Sequence, residues 1–125
     1  MASRHWIGVA RLEQLTDDEP LFASAMDIDL VVVKSEGQIH VLYGRCPHRG
    51  ALMASGCLEG ASLVCTAHGW DFALATGAST RVPGESLARF AVHVDAATGE
   101  VLVDQRELEA WRVDNPQSFH PGEFI

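Results

Sequence analysis

No window of the chain approaches the eighteen or so consecutive apolar residues that a membrane-spanning helix needs. The opening stretch MASRHWIGVARLEQ also lacks the continuous apolar core of a leader peptide. Membrane insertion and export are therefore not expected, and the cytoplasm is the expected compartment. Cationic residues are scarce as well: nine Lys and Arg stand against seventeen Asp and Glu, a formal net charge of −8. That balance argues against a nucleic-acid binder, because phosphate contacts need a clustered basic footprint. An acidic surface suits docking on a basic protein, and it equally serves plain solubility. Cysteines number three. Cys46, Cys57 and Cys65 lie close together in a chain without an export signal, so a metal site or a buried thiol is expected rather than a disulfide framework. Internal repeats and low-complexity runs are absent, which excludes a solenoid. At 125 residues the chain has room for one ordinary domain.

What is present reads mainly as short strands. HWIGVARL (5–12) precedes a polar turn at TDDEP, and PLFASAM and DLVVVKS follow as apolar, β-branched runs joined through DID. SEGQ (35–38) signals a hairpin, with Gly37 supplying a positive φ. QIHVLYG then alternates, with Ile39, Val41 and Tyr43 on one face and His40 and Leu42 on the other. From 45 to 88 glycines punctuate a loop-rich stretch with brief strands at SLVC and WDFAL. LARFAVHVD and GEVLVD flank DAATGE as a closing hairpin, and QRELEAWRVD is the one short helix, limited by Pro116. The expectation is an all-β fold of small antiparallel sheets with a glycine-rich insertion and a C-terminal helix. The tail NPQSFHPGEFI carries no hydrophobic period and reads as a surface wrap or linker.

Two loops carry the chemistry. RCPHRG (45–50) and CTAHGW (65–70) together make the pattern C-x-H-x16-C-x2-H, from Cys46, His48, Cys65 and His68. One residue between Cys46 and His48 is not helical spacing, and it asks for a turning backbone that Pro47 favours. Two cysteines and two histidines suit tetrahedral zinc, though such zinc sites usually group like ligands on one knuckle. Mixing one thiolate and one imidazole in each loop suits a binuclear iron–sulfur centre better, with both thiolates on one iron and both imidazoles on the other.

The stretch CPHRGALMASGCLEGASLVCTAHGWDF (46–72) resembles the Rieske-type [2Fe–2S] family, whose loops read C-P-H-x-G and C-x-x-H-G-W-x-F. RVPGE (81–85) is similar to the proline-containing third loop of that family, and the likeness extends to about residue 104. The resemblance implies a Rieske domain over 1–104 with a cluster-binding subdomain, followed by a helix and tail or linker over 105–125. It implies one [2Fe–2S] cluster per chain, with Cys46 and Cys65 on the inner iron and His48 and His68 on the outer. Thr66 departs from the proline that many relatives carry there. Ala51 and Ala67 occupy positions where the high-potential members carry a linking disulfide, so that bridge is absent. Trp70 and Phe72 stand where those members place serine and tyrosine donors to cluster and cysteine sulfur. Fewer donors favour the oxidised form, so the potential is expected near the low end of the range, on the order of −150 mV.

The function this implies is a low-potential ferredoxin that passes single electrons from a flavin reductase to a terminal oxygenase or similar partner. Such a chain is an electron carrier with no catalytic residues of its own, monomeric, with small and short-lived contacts. Alternatives are the N-terminal Rieske domain of a larger flavo-oxidoreductase, a small subunit of a nitrite-reductase-like enzyme, or a zinc-binding structural module. Cys57 is expected to be a packed thiol, and His5, His40, His93 and His120 ordinary surface or strand histidines. Trp70 is expected to pack the second loop, and Trp6 and Trp111 to pack in the core or against the tail. Arg45 and Arg49 read as solvated loop residues that could meet a partner beside the outer iron.

Overall fold

The run Leu30-Val31-Val32-Val33 explains the architecture, because none of its four side chains reaches solvent. A strand with one wet face alternates; a continuous apolar run marks a strand covered on both sides. In the computed structural model, which describes residues 5–47 and 50–116, that run lies in β3 (Ile28–Ser35), at the middle of the molecule. Leu30 and Val32 face one hydrophobic core, and Val31 and Val33 face another.

The remaining strands are β1 (Trp6–Arg11), β2 (Leu21–Ala25), β4 (Gln38–Tyr43), β5 (Cys57–Glu59), β6 (Ser62–Val64), β7 (Asp71–Ala73), β8 (Arg89–Phe90), β9 (Val92–Val94) and β10 (Glu100–Asp104). They form three antiparallel sheets among the described residues, in the orders β1-β10-β9, β2-β3-β4-β8 and β5-β6-β7. The first core lies between the β3 sheet, β1, β10 and the helix α1 (Gln105–Asp114), and includes Ala10, Val41, Phe90, Val101, Val103 and Leu108. The second lies between the β3 sheet and the β5–β7 sheet. It holds Leu42, Met53, Leu63, Phe72, Leu74, Leu87 and the thiols of Cys46 and Cys65.

The β3–β4 hairpin turns on Glu36 and Gly37, both at positive φ (51° and 76°), as a two-residue turn matched to strand twist requires. Met26 and Asp27 do the same between β2 and β3, at φ 53° and 62°. The segment LARFAVHVD, expected as one strand, splits at Ala91. β8 pairs with β4, and β9 pairs with β10 in a different sheet. The amide of Ala91 donates instead to Glu107 Oε1 of α1 at 2.8 Å, so the helix takes the hydrogen bond that would have continued a ladder.

α1 begins where Asp104 accepts from the amide of Arg106 at 3.0 Å and, from across the sheet, that of His5 at 3.2 Å. Trp111 fixes its far end: its ring lies 4.7 Å from Tyr43 and 5.5 Å, edge-on, from Phe90. Trp6 instead stacks at a tilt on His93, centroids 5.4 Å apart. No helix among the described residues is long and apolar enough to cross a membrane.

His40, on β4, is buried rather than at the surface. Burial first, and then the charge of Arg89, lower its pKa, although a hydrogen bond to the Leu74 carbonyl acts the other way. A histidine that prefers to stay neutral when folded takes up its proton more readily unfolded. Its favourable contribution is therefore present above the unfolded value of about 6.5 and is lost as pH falls below it. We predict that His40→Gln flattens the dependence of urea-unfolding stability on pH between about 6.5 and 5 relative to the wild type. Equal slopes in the two proteins would refute it.

Candidate metal centre

The two loops that carry the candidate ligands are the same construction used twice. In the first, Arg45 bridges Leu52, and the amide of Cys46 donates to the carbonyl of Ala51 at 2.8 Å. The amide of Gly50 then closes back on the carbonyl of Cys46 at 2.8 Å. In the second, Val64 pairs with Asp71, and the amide of Cys65 donates to Trp70 at 2.8 Å. The amide of Gly69 closes on Cys65 at 2.7 Å. Gly50 and Gly69 share a left-handed φ, 75° and 74°, which a side chain would strain. Each loop is thus a six-residue turn opening with cysteine and carrying glycine four residues on.

In the second loop the thiol and the imidazole face opposite ways, and the thiol of the first loop is buried as well. Cys46 is 1% and Cys65 2% exposed, and both sit in the second core beside Phe72, Met53 and Leu63. His68 faces solvent. Both thiols are therefore inside and the one described imidazole is outside, as a centre with one buried and one exposed iron would require. His48 and Arg49 lie outside the described residues, as do His120 and the tail from 117 onward. Among the described residues no three His, Cys, Asp or Glu side chains gather as a single-ion site would ask. A diiron centre bridged by sulfides makes no such demand, since each iron takes only two protein donors.

An arginine braces each loop at its glycine. Arg81 Nη1 donates to the Gly69 carbonyl at 2.8 Å, and its Nη2 pairs with Glu59 Oε1 at 2.8 Å. Arg45 Nη1 donates to the Gly50 carbonyl at 2.8 Å, and its Nε pairs with Asp29 Oδ2 at 2.7 Å. The Arg81 pair is about half exposed, at 49% and 55%, whereas Arg45 and Asp29 are 1% and 0% exposed. Arg45 is therefore not the solvated docking residue expected from its place in a loop; it points inward beneath the loop.

Gly44 makes that placement possible. A Cβ there would fall 2.8 Å from backbone atoms of both Asp29 and Leu30, and its amide donates to the Asp29 carbonyl at 2.7 Å. Only glycine lets the root of the first loop lie this close against β3.

The third loop is tied to the second through Asp71. Its buried carboxylate accepts from Ser79 Oγ at 2.9 Å, from the amides of Thr80 and Arg81 at 3.1 and 2.9 Å, and from Thr80 Oγ1. Burial works to raise its pKa, but the donors of Thr80, Arg81 and Ser79 outweigh burial and hold the carboxyl well below the usual range. Pro83 and Gly84 fill the centre of the turn that follows, closed by the Glu85 amide on the Val82 carbonyl at 3.1 Å.

Thr66, the departure from proline, sends its hydroxyl toward the Ser55 carbonyl at 3.4 Å, a weak contact. Trp70 is partly buried against the second core, as its expected packing role implies. Cys57, expected to be packed, is exposed on β5. A three-residue strand with burial pattern exposed–half-buried–exposed turns its first side chain outward, and Leu58 takes the inward place.

Sequence reasoning missed Asp29, Glu59, Asp71 and Arg81. One signal was available: an aspartate heading the apolar run DLVVV is out of place in a buried strand unless it is paired.

Comparison with known proteins agrees with this geometry. The model of the family described as the Rieske [2Fe-2S] domain matches residues 5–91. The ferredoxin component of an alkene monooxygenase system from Xanthobacter autotrophicus is 29% identical over 104 residues, covering 82% of this chain and 84% of that one. Of several longer oxygenases that it also matches, the chain spans 10% to 17%. Among solved structures, the Sphingomonas yanoikuyae B1 ferredoxin superposes with a TM-score of 0.73 at 25% identity, over 81% of this chain and 99% of that one. A chain from the complex of reduced oxygenase and oxidised ferredoxin in carbazole 1,9a-dioxygenase superposes with a TM-score of 0.71, also at 25% identity, over 82% and 94%.

Proposed function

Because the chain belongs to the Rieske [2Fe–2S] domain family, we propose that it is a one-electron carrier, reduced by a flavin-containing reductase and oxidised by a terminal oxygenase. Cys46 and Cys65 would hold the inner iron and His48 and His68 the outer one. The observation that carries this assignment is the matched pair of loops, each closed by its own backbone, with thiols in the core and an imidazole in solvent. When bound, a centre of this kind supplies reversible one-electron exchange, gaining one negative charge on reduction.

The protein's own contributions follow from the packing. Phe72, Leu63 and Leu74 keep water from the thiols, and the wet side of the second loop leaves His68 open to a partner. A formal net charge of −8 steers that approach toward basic partners. With no catalytic group assigned, we take the chain to act as a carrier and not as an enzyme, monomeric and binding no nucleic acid. We place it in the cytoplasm, where thiols stay reduced. Residues 1–104 would form the redox domain, and Leu108 and Trp111 anchor the helix of the 105–125 segment to its first core. A second reading, the Rieske segment of a longer oxidoreductase, is favoured by the longer oxygenases matched, and the open reading frame past Ile125 decides it.

Phe72 offers no hydrogen-bond donor and Trp70 no hydroxyl, so we predict a reduction potential below zero, on the order of −150 mV. Spectroelectrochemical titration of protein with measured iron and acid-labile sulfide tests this. A colourless zinc protein would refute the assignment of the centre, and a potential well above zero would refute the account of its tuning.

A further inference from the structure

We infer that the buried Asp29–Arg45 pair is an electrostatic device set beneath the first ligand loop, with its positive end toward the centre, and that it raises the reduction potential. This rests on the ligand assignment proposed above.

Stability does not account for the pair. Removing both charges from water is costly, and apolar side chains of similar volume usually serve as well or better. Nor is the pair needed merely to brace a glycine carbonyl. Arg81 braces Gly69 at the same 2.8 Å while its partner Glu59 stays half exposed. What distinguishes the first loop is burial, with Arg45 at 1% and Asp29 at 0% exposure.

Orientation follows from the hydrogen bonds. One side of the guanidinium meets the Asp29 carboxylate at 2.7 Å, and Nη1 meets the carbonyl of Gly50 within the ligand loop at 2.8 Å. The cation therefore lies between the anion and the loop that opens with Cys46. Out of solvent, its field on a charge arriving in that loop is weakly screened, whereas the field of the exposed Arg81–Glu59 pair is damped by water and salt. A nearby cation stabilises the more negative, reduced form, and the carboxylate behind it moderates the effect. Arg45 and Asp29 are thus positioning residues that act through the field and through the loop.

Charge variants separate this from a scaffolding role. Asp29→Asn removes the negative end and leaves the cation, and is expected to shift the one-electron equilibrium toward reduction by tenfold or more, about 59 mV per factor of ten. The double variant Asp29→Leu, Arg45→Met removes the whole dipole, and is expected to shift the equilibrium tenfold or more in the opposite direction. Glu59→Gln, at the exposed counterpart, is expected to stay within threefold of the wild type.

The experiment is spectroelectrochemical titration of each holoprotein, with iron and acid-labile sulfide quantified first. Opposite shifts of the two Asp29 variants support the proposal. One-electron equilibria within threefold of the wild type in variants that keep their full iron and sulfide overturn it, as do shifts of the same sign. Asp29→Asn strands a buried cation and can lose the fold. In that event the double variant carries the test alone: a lowered potential supports the proposal and an unchanged one overturns it. Failure of the underlying assignment looks different, since the wild-type protein itself would then lack iron and sulfide.

Discussion

Replacing Cys65 with serine is expected to abolish retention of iron and acid-labile sulfide while leaving the chain folded. The loop does not depend on the thiol for its shape. The Cys65 amide is held by the Trp70 carbonyl, and the Cys65 carbonyl by the Gly69 amide, both through the main chain. Serine keeps those bonds and the volume, and removes the soft sulfur ligand that an iron–sulfur centre requires. The cost to the fold is that of a hydroxyl placed in an apolar pocket beside Phe72 and Leu74, about 1–3 kcal/mol. Cys46→Ser should behave identically. Cys57→Ser, at an exposed position, should keep full iron and sulfide. Metal and sulfide analysis of the three variants settles the matter, and a Cys65→Ser protein with wild-type content would remove that residue from the ligand set.

Phe72→Ala is expected to bring the largest loss of stability, about 3–5 kcal/mol. Its ring is fully buried on β7, opposite Leu63 in the register, and shares the second core with both thiols. Truncation leaves a cavity that the surrounding strands can close only by moving the loops they carry. The urea midpoint should fall accordingly. The variant should also release iron faster than the wild type, since water gains a route to the sulfur donors. Leu108→Ala empties the opposite core at a comparable cost, about 2–5 kcal/mol, and should leave the rate of iron release nearly unchanged. Equal acceleration in both variants would show that the second core has no special hold on the centre.

The candidate metal-binding motif was legible because its chemistry is local. Cysteine and histidine at fixed short spacings, with glycine just beyond, need no partner from afar to be recognised. The hairpin at SEGQ and the helix over QRELEAWRVD were readable for the same reason: the turn conformation and the proline that limits the helix are written within a few residues. What was not legible depends on distant contacts. Arg45 looks like a loop arginine until Asp29, sixteen positions earlier in the chain, is placed beneath it. The break at Ala91 depends on Glu107 arriving from α1. Cys57 faces outward because Leu58 takes the inward position in a strand too short to show alternation. Asp71 reads as an ordinary strand residue until the 79–81 segment delivers its donors.

The doubly covered strand β3 has a mechanical consequence. Val31 and Val33 belong to the half that carries the two cysteine-bearing loops, and Leu30 and Val32 to the half that does not. Neither half can open without stripping one side of the same four residues, so the whole domain should melt as one cooperative unit without shedding its tip first. Exchange of charge in brief collisions would then draw on a thiol-bearing half that shares its support with the rest of the domain.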